Sequence, residues 1–245
     1  MSNTIRFLAQ KSQSEITREW DQIAPIRDSQ IGAHADPSFS EVLEPWILRH
    51  LGSARSILDV GCGTGRLTAR LRERASTVVG IDPSSASVEI ARRHDSSGSY
   101  EVSTVEEWAA SKSDSRFDIV VANMVLMDTL HLDDVCASIA RIAQKGRVVA
   151  TITHPAFWPI YWGYSQAAGF NYSEELVVEA PFKTSALEYT LNATHIHRPL
   201  DMYLETFRRN GIRITRLEEL RGPEPAASFP FPRFIGIVAE VDEAQ

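Results

Sequence analysis

One stretch constrains this chain more than any other: Ser56-Ile57-Leu58-Asp59-Val60-Gly61-Cys62-Gly63-Thr64-Gly65-Arg66-Leu67. Ser56 to Val60 read as a short apolar strand, and from Arg66 the period becomes helical, with Leu67 and Leu71 on one face. Between them, Gly61, Gly63 and Gly65 form a turn whose backbone can bend sharply and come close to a bound molecule. A strand, a glycine turn and a helix are how an open α/β sheet holds a nucleotide-like ligand at the carboxyl end of its first strand. The dinucleotide fingerprint requires a third glycine at the sixth position of the run. Here that position is Arg66, which argues against a nicotinamide oxidoreductase on the same sheet.

What stands instead is Asp-x-Gly-x-Gly-x-Gly. The run Leu58 to Gly65 resembles motif I of the class I S-adenosylmethionine-dependent methyltransferases, in the small-molecule subgroup similar to the ubiquinone and menaquinone methyltransferases. The resemblance implies an α/β fold: a Rossmann-like, doubly wound, seven-stranded sheet whose seventh strand is antiparallel. An N-terminal helical cover and an aromatic-rich insertion after the fifth strand complete the expected arrangement. The cofactor it implies is S-adenosyl-L-methionine, with S-adenosyl-L-homocysteine as product. Asp59, Gly61, Cys62, Gly63 and Gly65 are then cofactor-binding candidates.

Downstream residues extend the resemblance. A second strand, Thr77 to Ile81, ends at Asp82-Pro83, where an acid accepts hydrogen bonds from both ribose hydroxyls. After a third strand, Tyr100 to Ser103, the family often carries an acid for the adenine amino group. Thr104 stands there, followed by Val105, so the adenine contacts fall to the Thr104 hydroxyl, to Glu106 or to the Val105 amide. Phe117 to Ala122 is a fourth strand with Asn123 at its tip, at the cofactor's methionine end. Met124-Val125-Leu126 follow, not the Pro-Pro-aromatic signature of enzymes that methylate DNA bases or protein glutamine. A fifth strand, Arg147 to Thr153, ends at His154-Pro155. His195-Ile196-His197-Arg198-Pro199-Leu200 reads as opening a helix to Asn210, and its His197-Arg198-Pro199-Leu200 run resembles the C-terminal region of one small-molecule subgroup.

The 245 residues are expected to form one class I methyltransferase domain: a helical cover over 1–53, a cofactor-binding core over 54–153, a lid and acceptor insertion over 154–199, and a C-terminal helix with strands over 200–245. In the cover, Ile16, Trp20 and Ile23 mark an amphipathic helix ended by Pro25 or soon after, and Asp28 to Phe39 reads as a loop. Trp20 and His34 are candidates to face the acceptor, as are Asp128, His131, Trp158 and Tyr161. Histidine suits a general base near neutral pH. His154 and His197 are the leading catalytic candidates, with His195, His131 and Asp128 behind them, and positioning alone suffices for an acceptor that is already nucleophilic.

Composition narrows the partners. A net charge of −7 with scattered arginines argues against nucleic acid. No apolar run reaches membrane-spanning length, and Met1 to Lys11 has no signal-peptide core. Cys62 and Cys136, the only cysteines, fit a reducing, cytoplasmic setting. No metal-ligand spacing stands out. The expected function is methyl transfer to a small-molecule acceptor, first an oxygen of an aromatic or polycyclic secondary metabolite. Nitrogen or carbon acceptors, and a non-catalytic S-adenosylmethionine-binding regulator, are the alternatives; a homodimer is compatible with either.

Overall fold

Ser56–Val60 is buried along nearly its whole length, as a strand inside a parallel sheet must be. The computed structural model describes residues 5–33, 36–112, 115–143, 145–183 and 188–242. In chain order, β1 (Arg6–Leu8) leads to the long helix α1 (Gln13–Gly32). A π-helical turn (Ser38–Leu43) runs into α2 (Glu44–His50). The central alternation follows: β2 (Ser56–Val60), α3 (Arg66–Leu71), β3 (Thr77–Asp82), α4 (Ser85–His94), β4 (Ser99–Val102), α5 (Val105–Ser111), β5 (Ile119–Asn123), α6 (Leu132–Ile142) and β6 (Arg147–Thr153). The short α7 (Trp158–Trp162), β7 (Leu176–Lys183) and β8 (Glu188–His197) form the insertion. The chain closes with α8 (Leu200–Arg209), β9 (Ile212–Arg221) and β10 (Pro232–Val241).

The main sheet has the order β4-β3-β2-β5-β6-β10-β9. Its first five strands pair in parallel, and β10 runs antiparallel between β6 and β9. Alternate residues of each strand enter opposite layers. Leu58, Val120 and Val148 pack with Trp108, Val135, Ile139 and Phe207 on one face. Ile57, Ile119, Val121 and Val149 pack with Trp46, Ile47, Leu67 and Leu71 on the other. The strand order reverses between β2 and β5, which opens a crevice at their carboxyl ends.

Three local expectations are corrected. Pro25 does not end α1: the helix continues to Gly32, because Ile16, Ile23 and Ala24 before or beside the proline and Gln30 after it are all buried. Tertiary packing on both sides outweighs the missing N–H. The stretch expected as a loop therefore finishes one helix and begins the π-helical turn. β7 and β8 form an antiparallel hairpin, and β1, which has no sequence signature, adds to its edge. His195 and His197 lie in β8, and the last helix begins only at Leu200. His34 lies outside the described residues.

The insertion has its own small core of Trp162, Tyr164, Val178 and Ala180. It is tied to the N-terminus by charge: Lys11 Nζ donates to Glu179 at 2.8 Å, to Thr194 Oγ1 at 2.6 Å and to Glu19, and Arg6 also pairs with Glu179. α1 is fixed over the sheet by Asp21, whose Oδ1 accepts from Ser84 Oγ at 2.7 Å and from the Ala86 N–H at 3.1 Å.

Candidate active site

The glycine turn is built from left-handed backbone: φ is 67° at Gly61, 52° at Gly63 and 78° at Gly65. The turn is anchored to β3, since the Cys62 N–H donates to Ile81 O at 2.9 Å. The glycines serve different ends. A Cβ on Gly61 would run into Val125, whereas one on Gly63 would meet nothing within 4 Å. Gly63 thus presents bare backbone to open space, the cradle that a closely approaching ligand needs. Gly65 does not line the cavity; Ala91 and Tyr100 crowd it, so its role is to let α3 start close to α4 and β4.

Asp82 closes the other side of the turn. Its Oδ2 accepts from the Gly63 N–H at 2.9 Å and its Oδ1 from the Ser84 N–H at 2.8 Å. Burial pushes its pKa up to about 6, against the pull of those two N–H groups. Asp59, at the end of β2, accepts from Thr68 Oγ1 at 2.6 Å; burial and then the Asp82 charge raise it to about 7. Thr104 lines the cavity, but its hydroxyl accepts from the Glu107 N–H and caps α5. Asn123 is held by Thr151, whose hydroxyl donates to Asn123 Oδ1 at 2.7 Å.

These residues open into one cavity of about 330 Å³. It begins at Asp59, Gly61, Cys62, Gly63, Asp82, Pro83, Thr104 and Val105 and passes Asn123. It then widens into a chamber walled by Trp20, Phe182, Trp158, Trp162 and Phe234. Trp20 meets Phe182 edge-on, with ring centroids 6.1 Å apart. Its polar lining includes Asp128, Thr194, His195 and Arg233. Burial, then the nearby Glu19 charge, pushes the Asp128 carboxyl well above its usual range.

The histidines sort differently from the sequence reading. His154 does not reach the cavity. The preceding Thr153 faces it, and strand alternation sends His154 the other way, with Nε2 3.0 Å from Glu219 Oε1 and Nδ1 accepting from the Ala156 N–H. His197 is also off the cavity, held between Tyr172 O at 3.1 Å and the Tyr164 hydroxyl at 3.5 Å. Among the described residues, His195 is the histidine on the wall, in T-shaped contact with Trp162 at 5.6 Å. Burial, helped by His197 and Arg198, lowers its pKa to about 3, so it is neutral at physiological pH. His131 is exposed at the start of α6, and Tyr161 lies behind the wall against Arg233.

Arg198 shapes the chamber from behind. Its side chain is fully buried; it donates to the carbonyls of Leu126 (3.2 Å), Thr129 (2.7 Å) and Leu130 (3.1 Å) and pairs with Glu175. It therefore fixes the segment that carries Asp128. The His-Arg-Pro-Leu run carried a signal for Arg198; Thr194 and Arg233 had none in the sequence. Among the described residues, no group of three or more His, Cys, Asp or Glu side chains could hold a metal ion, and no helix is long and apolar enough to cross a membrane.

Comparison with known proteins agrees with this geometry. Residues 57–146 match the family described as a methyltransferase domain. The chain is 27% identical over 164 residues to the O-antigen chain terminator bifunctional methyltransferase/kinase of Escherichia coli, covering 64% of this chain and 22% of that protein. It is 38% identical over 96 residues to the ubiquinone biosynthesis O-methyltransferase of Hahella chejuensis, covering 38% of this chain and 40% of that one. The matched stretches thus span well under half of these relatives. In fold, the chain is similar to the Burkholderia thailandensis 1,6-didemethyltoxoflavin-N1-methyltransferase, solved with 1,6-didemethyltoxoflavin and S-adenosylhomocysteine. The TM-score is 0.63 at 16% identity, covering 98% of this chain and 95% of that one. Fold, glycine turn and matched stretch agree: residues 57–146 match a methyltransferase domain, and they sit on a fold similar to that of solved S-adenosylmethionine-dependent methyltransferases.

Proposed function

We propose that the chain transfers the methyl group of S-adenosylmethionine to a small-molecule acceptor, first an oxygen of an aromatic or polycyclic metabolite. The observation that carries this reading is the single cavity that joins the bare Gly63 backbone and Asp82 to a chamber of indole and phenyl rings. The cofactor, when bound, supplies an electrophilic methyl on a positive sulfonium.

The chain's own residues bind, orient and exclude water. Asp82, already bonded to the Gly63 and Ser84 amides, offers its remaining lone pairs to the two ribose hydroxyls. Ser103 to Glu106 border the adenine end, and Asn123 borders the methionine end. Trp20, Phe182, Trp158 and Trp162 supply flat apolar walls suited to an aromatic acceptor, for which position contributes much of the rate. His195 is the base we assign for an acceptor hydroxyl: it is unprotonated and on the wall.

The test is calorimetric titration with S-adenosylhomocysteine, followed by an acceptor screen with methyl-labelled S-adenosylmethionine. Binding in the micromolar range, about −8 kcal/mol, together with label transfer to a hydroxylated aromatic, supports the reading. Label on nitrogen or carbon corrects the acceptor atom. Binding with no transfer to any acceptor favours a regulator, and a wild-type chain that does not bind overturns the proposal.

A further inference from the structure

Arg233, the second residue of β10, is only 2% exposed and yet lines the acceptor chamber. Its guanidinium carbon lies 3.9 Å from the centre of the Tyr161 ring and 4.9 Å from that of Phe234. Among the described residues its ion pair is with Glu224, from Nη1 to Oε2 at 2.7 Å. That pair is incomplete on both sides: Arg233 Nε and Glu224 Oε1 are both buried, and neither has a hydrogen-bond partner among the described residues.

A structural arginine–carboxylate pair usually closes with two parallel bonds. Here Glu224 takes the guanidinium by one nitrogen only, and the Nε edge is left over. That edge presents two N–H groups side by side, the fork that matches a carboxylate. A buried charged donor without an acceptor is costly, and a ligand that supplies one relieves the cost. Arg66 also has a partnerless Nε, but it stands beside the glycine turn, with its guanidinium on Asp28 at 2.9 Å and its side chain 33% exposed. Arg27, also on the cavity wall, donates to Asp36 and Gln30.

We propose that the acceptor is a flat aromatic acid, and that Arg233 receives its carboxylate through the Nε edge while the ring lies against Trp158 and Phe234. This rests on the methyltransferase reading for the identity of the chamber and adds the charge of its occupant. Glu224 orients the guanidinium and is a positioning residue.

The test uses the full chain saturated with S-adenosylhomocysteine. It is titrated with 1-hydroxy-2-naphthoate and, in parallel, with the neutral 1-hydroxy-2-naphthamide. The acid should bind roughly ten- to hundred-fold tighter than the amide. Arg233→Met should abolish that preference while leaving S-adenosylhomocysteine affinity unchanged, and Glu224→Gln should enlarge it by removing the competing charge. Equal affinities, tighter binding of the amide, no binding of the acid, or a preference that survives Arg233→Met would each overturn the proposal. If Arg233→Met does not fold, the wild-type comparison and Glu224→Gln decide. A wild-type chain that takes the acid preferentially but not S-adenosylhomocysteine leaves the Arg233 site standing and removes the methyltransferase reading instead.

Discussion

Gly63 donates its backbone N–H to the Asp82 carboxylate across 2.9 Å, so the glycine turn after one strand is locked to the tip of the next. The two candidate cofactor-holding groups, 19 residues apart in sequence, are thus one rigid unit before any ligand arrives. Rigidity of this kind lowers the ordering cost of binding.

Asp82→Asn keeps the shape of the side chain and removes its charge. S-adenosylhomocysteine affinity should fall by roughly ten- to hundred-fold, the worth of charge-assisted hydrogen bonds to a ligand. Calorimetry on the variant, with circular dichroism to establish that it is folded, checks this; an unchanged affinity would remove Asp82 from the site.

Affinity should also depend on pH. Only the ionised Asp82 accepts from both ribose hydroxyls without holding a proton of its own. With its pKa raised from 3.8 to about 6, affinity should be full above that value and fall by up to about tenfold per pH unit below it. The stability linkage has the opposite sign. The folded apoprotein holds these protons more tightly than the unfolded chain, so the contribution of Asp82 and Asp59 is present below pH 3.8 and lost as pH rises through about 6 and 7. S-adenosylhomocysteine should therefore raise Tm more at pH 7.5 than at pH 5, a shift readable by calorimetric scanning.

The two glycines should fail in different ways. Gly61→Ala adds a collision with Val125 to the strain of a left-handed backbone and should cost about 2 to 5 kcal/mol of stability. Gly63→Ala carries the strain alone, about 1 to 2 kcal/mol, because nothing is near its Cβ. It should lose cofactor affinity out of proportion to its stability. Denaturant midpoints set beside binding constants separate the two effects.

If His195 accepts the acceptor's proton, His195→Gln should lower kcat by about 10² to 10⁴ with little change in S-adenosylhomocysteine affinity. His154→Gln, which loses a contact to Glu219 off the cavity, should keep most of its kcat. The reverse ranking would restore His154 and sink the assignment.

Arg198→Met leaves three carbonyl oxygens, those of Leu126 and Thr129 buried and that of Leu130 partly so, without this donor. Stability should drop by about 3 kcal/mol, read as a lowered urea midpoint with an unchanged slope. Acceptor binding should weaken as the segment around Asp128 loosens.

The glycine-turn end of this cavity was legible in the sequence because it is local. A strand that must be buried on both faces reads as an apolar run, a left-handed turn demands glycine, and Asp82 stands at the tip of the next strand, so residue type and spacing carry the geometry. The acceptor end was not legible. Which histidine reaches the cavity depends on side-chain alternation at a strand end and on a hairpin that packs over the sheet from some 40 residues away, and His154, His195 and His197 are the same residue type in similar polar–apolar surroundings. The continuation of α1 past Pro25 is decided by what its two ends bury, not by the proline itself. Sequence determined the alternation of central strands and helices and the glycine turn between the first two of them, because backbone sterics and hydrophobic period act within a few residues. Only the tertiary structure put Arg233, Thr194 and His195 around one chamber, because that depends on contacts between segments that no local pattern encodes.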